Sequence, residues 1–207
     1  MIRTLLLFAA MLPTTLFATT YSYTSGGNYI EFLGAPIYNS TMRITGSVTT
    51  SSPLPANLSA ADIGPTGSNL LTAWSFNDGI NTYTNANSAL GFGPVTATTN
   101  ASGNITDFTI AVFTPKVAVL GQATSGVSIY GLPTAYSNVF CAVVVNNACN
   151  SLNGGGENAA IAEADFGQFT TVALAPPTPA PAGTPFTWIC IATAIVLAAS
   201  ARRRRGA

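Results

Sequence analysis

Leu70-Leu71-Thr72-Ala73-Trp74-Ser75-Phe76-Asn77-Asp78-Gly79-Ile80-Asn81-Thr82-Tyr83-Thr84 decides the fold class. Asp78-Gly79 separates two segments rich in aromatic and β-branched residues. A type I′ hairpin turn needs positive φ at its centre, which Gly accepts without steric cost. The run predicts a strand over 70–77, a two-residue turn and a returning strand over 80–84. In that register Trp74 faces Tyr83, with Phe76 on the same face. Such cross-strand aromatics stabilise a sheet by a few tenths to about 1 kcal/mol each.

Period two continues on both sides. Met42, Ile44 and Val48 alternate with Arg43, Thr45, Ser47 and Thr49, and Gly46 is a candidate bulge. Tyr21 and Tyr23 begin one strand, and 29–33 form another. Residues 95–99, the turn Asn100-Ala101-Ser102-Gly103 and residues 104–113 make a second hairpin with Phe108, Ile110 and Val112 on one face. Short strands are expected over 117–120 and 127–130, and a last one over 166–174. The apolar run 139–145 suits a strand covered on both sides. Ser59 with Asp62 resembles a capping box and predicts one helical turn within 57–63; 159–164 predicts a short helix. About nine or ten strands and no long amphipathic helix predict an all-β fold, an antiparallel β-sandwich or flattened barrel.

The two ends read differently. Residues 1–18, with Arg3, an apolar stretch over 5–12 and Leu16-Phe17-Ala18, read as a secretory signal helix, to be handled by the export translocon and signal peptidase. Residues 19–174 are the ectodomain and 175–185 a Pro-rich linker. Residues 186–201 form an apolar transmembrane helix, and 202–207 an Arg-rich cytoplasmic end. At 1.5 Å per residue the helix reaches about 24 Å, short of a hydrocarbon core of about 30 Å. It is therefore a marginal span, holding the chain in the membrane at least transiently. Arg202, Arg203, Arg204 and Arg205 fix its orientation by the positive-inside rule. Between the ends, Arg43 and Lys116 face seven acids, for a net charge of −5. Phosphate neutralisation needs clustered cations, so this balance argues against nucleic-acid binding.

The chain has no histidine, which removes the commonest general base and the commonest metal ligand. Lys116, the only lysine, has no nucleophile motif around it. Glu163 and Asp165 are near each other in sequence, but nothing in the sequence sets them in a cleft, and solvated loop charges explain them better than a catalytic carboxylate pair does. Asp78 with Asn77 and Asn81 lacks the spacing of a calcium loop. No catalytic, cofactor or metal site is expected, and the chain reads as a non-enzyme. Cys141 and Cys149 lie on an exported chain, where a disulfide is permitted. An odd-length loop would set them opposite each other and a two-residue Asn146-Asn147 turn would not, so a bridge and two free thiols both stay open. Trp74, Tyr83 and Tyr130 offer either a sugar-stacking platform or core packing.

The Pro-rich segment, short apolar helix and terminal arginines, joined to a signal peptide, resemble the PEP-CTERM sorting proteins of Gram-negative bacteria. The family's Pro-Glu-Pro is replaced here by Pro177-Thr178-Pro179 or Pro179-Ala180-Pro181. Thr45-Gly46-Ser47-Val48-Thr49, Pro53-Leu54-Pro55-Ala56-Asn57-Leu58-Ser59, Trp74-Ser75-Phe76-Asn77-Asp78-Gly79 and Asp107-Phe108 are similar to segments of exported proteins in that group. The resemblance implies recognition of the tail by an exosortase-type enzyme, a cell-surface or extracellular location, and association with exopolysaccharide or biofilm matrix. It carries no active site. The expectation is an exported surface or matrix protein, with a carbohydrate-binding module presenting aromatics on a sheet face as the alternative.

Overall fold

The computed structural model describes residues 17–34, 37–153, 160–165 and 167–172. The chain separates into two units, Met1–Ala173 and Leu174–Ala207, and the described residues all belong to the first. The signal segment up to residue 16, the sorting motif and the apolar tail helix lie outside the described residues.

Fourteen strands form among the described residues: β1 (Thr19–Thr24), β2 (Glu31–Leu33), β3 (Thr45–Thr50), β4 (Ala61–Asp62), β5 (Leu71–Asn77), β6 (Thr82–Thr84), β7 (Ala89–Leu90), β8 (Thr96–Thr99), β9 (Ile105–Thr114), β10 (Ala123–Ile129), β11 (Thr134–Val145), β12 (Ala148–Asn153), β13 (Ala160–Glu163) and β14 (Gln168–Val172). No helix occurs among these residues, and none is long and apolar enough to cross a membrane. A five-stranded sheet runs β14-β1-β3-β5-β6. A nine-stranded sheet runs β2-β13-β11-β10-β9-β8-β4, with β12 added to β11 and β7 to β9. Every described pairing is antiparallel.

Both sheets contribute to one core, in a sandwich-like arrangement. Tyr21, Tyr23, Val48 and Phe76 from the smaller sheet share it with Phe108, Ile110, Val112, Val127 and Ile129 from the larger. Burying each large side chain contributes about 1.5–3 kcal/mol. A register shift between Thr49 and Thr50 brings Leu71 onto the same face as Trp74 and Phe76. Gly46 is not a bulge. It pairs in register with Tyr23 on one side and Phe76 on the other, whose rings meet edge-on at 6.2 Å. A Cβ there would collide with the Phe76 ring and the Ser75 carbonyl, so this strand needs glycine for close packing.

Other differences from the sequence reading have local causes. The β5–β6 hairpin has four loop residues, 78–81, so Tyr83 faces Phe76 rather than Trp74. Asp78 Oδ1 accepts the amides of Ile80 and Asn81, which holds the longer loop. The expected helical turn over 57–63 is a turn with positive φ at Asn57 and Ala60, followed by β4. Asp62 there holds the following loop, accepting the Gly64 amide and the Thr66 hydroxyl. Residues 160–163 form β13, inserted between β11 and β2. Residues 117–120 are not a strand, and Val117, Val119 and Leu120 are exposed. The apolar run of β11 is covered on one face only, with Phe140, Val143 and Val145 turned outward.

Candidate functional site

Whether acid–base chemistry is available depends on where the acids sit. Asp78 is 0% exposed. Its Oδ2 accepts the hydroxyls of Tyr38 at 2.9 Å and Tyr83 at 2.6 Å, and its Oδ1 accepts two backbone amides at 2.8 and 2.6 Å. Its carbonyl accepts the Tyr29 hydroxyl at 2.8 Å. Four donors occupy the lone pairs of one carboxylate, leaving none for a cation. Burial, and after it the Asp78 charge, pushes the phenols of Tyr29, Tyr38 and Tyr83 well above their ordinary value. This cluster locks the fold and is closed to substrate.

Asp107 accepts its neighbouring Phe108 amide, and Asp165 lies exposed beside Gly27. The side chain of Glu163, the other half of the sequence pair with Asp165, lies outside the described residues. Lys116 Nζ donates to the Asn85 carbonyl at 2.6 Å. Among the described residues no three metal-ligating side chains converge.

The outer face of the nine-stranded sheet carries a second, smaller core: Ala111, Phe113, Ala118, Cys141 and Cys149, with Tyr136, Val144 and Leu152 against it. Alternation along β9 explains the split, since Phe108, Ile110 and Val112 face one core while Ala111 and Phe113 face the other. Cys141 and Cys149 are joined by a disulfide with Cα atoms 5.6 Å apart. The β11–β12 turn is nonetheless the two-residue Asn146-Asn147, both at positive φ, with Val145 opposite Ala148. Two register shifts between Cys141 and Val144 bring the cysteines to one face. The expectation that such a turn keeps them apart therefore fails because it assumed a regular ladder.

Two concavities open beside this second core, separated by the loop around Pro94. The larger, about 680 Å³, is bordered by Trp74, Leu90, Lys116 and the Asn146-Asn147 turn. Trp74 is half-buried there and spends its indole N–H on Ser88 Oγ at 3.0 Å. The other, about 480 Å³, is lined by Phe92, Tyr130 and Tyr136 together with Thr96, Thr109 and Ser128. Tyr130 is 73% exposed. Phe92 sits at φ +59, a left-handed conformation that is a genuine outlier for a bulky residue. Its ring is held edge-on to Phe113 at 4.7 Å and Tyr136 at 6.4 Å. Gly91 lets this loop lie against the Cys149 carbonyl, which a Cβ would strike.

The three aromatics singled out in sequence thus separate. Tyr83 is 1% exposed and belongs to the core, Trp74 is partly available, and only Tyr130 stands in solvent. Phe92 and the hydroxyl row went unread; the one signal was an aromatic between two glycines and a proline, Gly91-Phe92-Gly93-Pro94. Pro177, Thr178, Pro179, Ala180 and Pro181, and Arg202 to Arg205, lie outside the described residues. No family model matches the chain, and neither curated proteins nor solved structures give a match.

Proposed function

We propose that this chain is an exported, non-enzymatic β-sandwich protein of the cell surface or extracellular matrix, delivered through its PEP-CTERM-like tail and associated with polysaccharide. The Cys141–Cys149 bridge carries the reading, because such bonds form and persist in oxidising compartments. The commitment of Asp78, Asp107 and Lys116 to internal hydrogen bonds supports a non-enzymatic role. Mass spectrometry of the chain expressed with both ends in a Gram-negative host tests it. The expected product begins after Ala18, has no free thiol at Cys141 or Cys149, and ends near residues 177–183 once the tail is cut, or at Ala207 while it is kept. A product that retains Met1 and both free thiols would overturn the reading.

A second reading, a carbohydrate-binding module, is favoured by the exposed Tyr130 beside a row of hydroxyls. The burial of Tyr83 moves any such surface away from the β5–β6 hairpin.

A further inference from the structure

We infer that the cleft between Phe92 and Tyr130 on the outer sheet face is a binding site for an uncharged glycan chain. The inference rests on the carbohydrate reading and deepens it by naming the site and the ligand class.

The hydroxyls of Thr96, Thr109 and Ser128 make no hydrogen bond within the described protein, although hydroxyl, amide and carbonyl partners are found for most neighbouring polar side chains. Ser128 is only 6% exposed, so what remains open of it faces the cleft that it lines. The three stand on adjacent strands. Thr96 pairs directly with Thr109, and Ser128 pairs with Ala111, two residues further along β9. Neighbouring strands lie about 4.8 Å apart, so the row from β8 through β9 to β10 covers roughly 10 Å. Each hydroxyl both donates and accepts, as each sugar hydroxyl does. A ligand that pairs with all three must carry several such groups at short intervals.

The aromatics supply the other half of the match. Tyr130 presents an apolar ring with a polar tip, and Phe92 presents a ring edge fixed by Phe113 and Tyr136. A pyranose has the same division, an apolar C–H face and a polar rim. The strained backbone at Phe92 keeps its ring at the cleft, and strain of this kind concentrates at ligand clamps. Among the described residues no charged one lines the cleft, and the domain's net charge of −5 repels polyanions at low salt. The ligand class is therefore neutral.

Native affinity electrophoresis of the full chain in mild detergent tests this, with hydroxyethylcellulose, dextran or polygalacturonate cast in the gel. Hydroxyethylcellulose or dextran should retard the chain and polygalacturonate should not. Tyr130→Ala should weaken the retardation roughly tenfold, as loss of a central aromatic does. Thr109→Val, which removes one hydroxyl at constant shape, should weaken it less. An intact disulfide and an unchanged melting temperature confirm that both variants are folded. Retardation that survives both substitutions but falls in Trp74→Phe overturns this site and leaves the carbohydrate reading standing. Retardation by polygalacturonate alone overturns the neutral ligand. No retardation by any polymer overturns the site and the carbohydrate reading together.

Discussion

Asp78 is the residue on which the hairpin, the loop and three tyrosines converge. Replacing it by Ala would leave the hydroxyls of Tyr38 and Tyr83 and the amides of Ile80 and Asn81 without their acceptor. Each buried group left unpaired costs about 1–3 kcal/mol, with partial relief from water entering the space. Asp78→Ala is expected to lose about 3–5 kcal/mol in urea unfolding, and Tyr38→Phe, which removes only one of four donors, about 1–2 kcal/mol. Tyr23→Phe is the contrast: its hydroxyl lies buried beside the Gly167 backbone without a hydrogen bond of good geometry, so its loss should cost under about 0.5 kcal/mol. A cost under 0.5 kcal/mol for Asp78→Ala as well would show that the network stabilises nothing. The sequence marked Asp78 as a turn residue, which it is. Its burial was not legible, because Tyr38 and Tyr29 approach from 40 and 49 residues away.

At the scale of elements, local rules read well where a single ladder decides the outcome. The β8–β9 hairpin has its loop at Asn100 to Asn104, one residue longer than the expected turn, and Phe108, Ile110 and Val112 share a buried face because period two runs through them undisturbed. Local rules failed where a partner distant in sequence decides. Residues 160–163 become a strand because β11 and β2 offer edges on both sides, which outweighs an Ala-rich segment's helix propensity. The β11–β12 hairpin combines both cases. Its Asn-Asn turn is local, whereas its register shifts serve the disulfide and the second core. The bridge closes a loop of separation 8, for which loss of unfolded-state entropy predicts about 2–3 kcal/mol of stabilisation. Reducing it, or replacing both cysteines with Ser, should lower the urea midpoint accordingly and leave the β-sheet circular-dichroism signal intact below the transition. An unchanged midpoint would mean that Phe113, Ala118 and Leu152 hold that corner without it.

For the whole molecule, alternation and turn spacing made the all-β class legible. The assembly of a five- and a nine-stranded sheet was not, because strand order depends on pairings between distant segments such as β1 with β14. That packing has a titration consequence. Tyr23, Tyr29, Tyr38 and Tyr83 all have phenols raised above their ordinary value of 10.0, chiefly by burial. Above that pH the unfolded chain releases these protons while the folded chain keeps them. The unfolded state then binds fewer protons, and stability falls as pH rises. Below pH 10 the four phenols are protonated in both states and cause no loss. Above it each contributes a decline of about 1.4 kcal/mol per pH unit, or roughly 5–6 kcal/mol for the four together. Against a typical folding free energy of about 5–15 kcal/mol, unfolding is expected between about pH 11 and 13. The share of the tyrosinate absorbance that these four buried phenols contribute should change together with the far-ultraviolet circular dichroism, in one step steeper than a single-proton titration. Ionisation of these four tyrosines with the dichroism still intact would mean that water reaches the core around Asp78 and that its hydrogen-bond network is not closed to solvent.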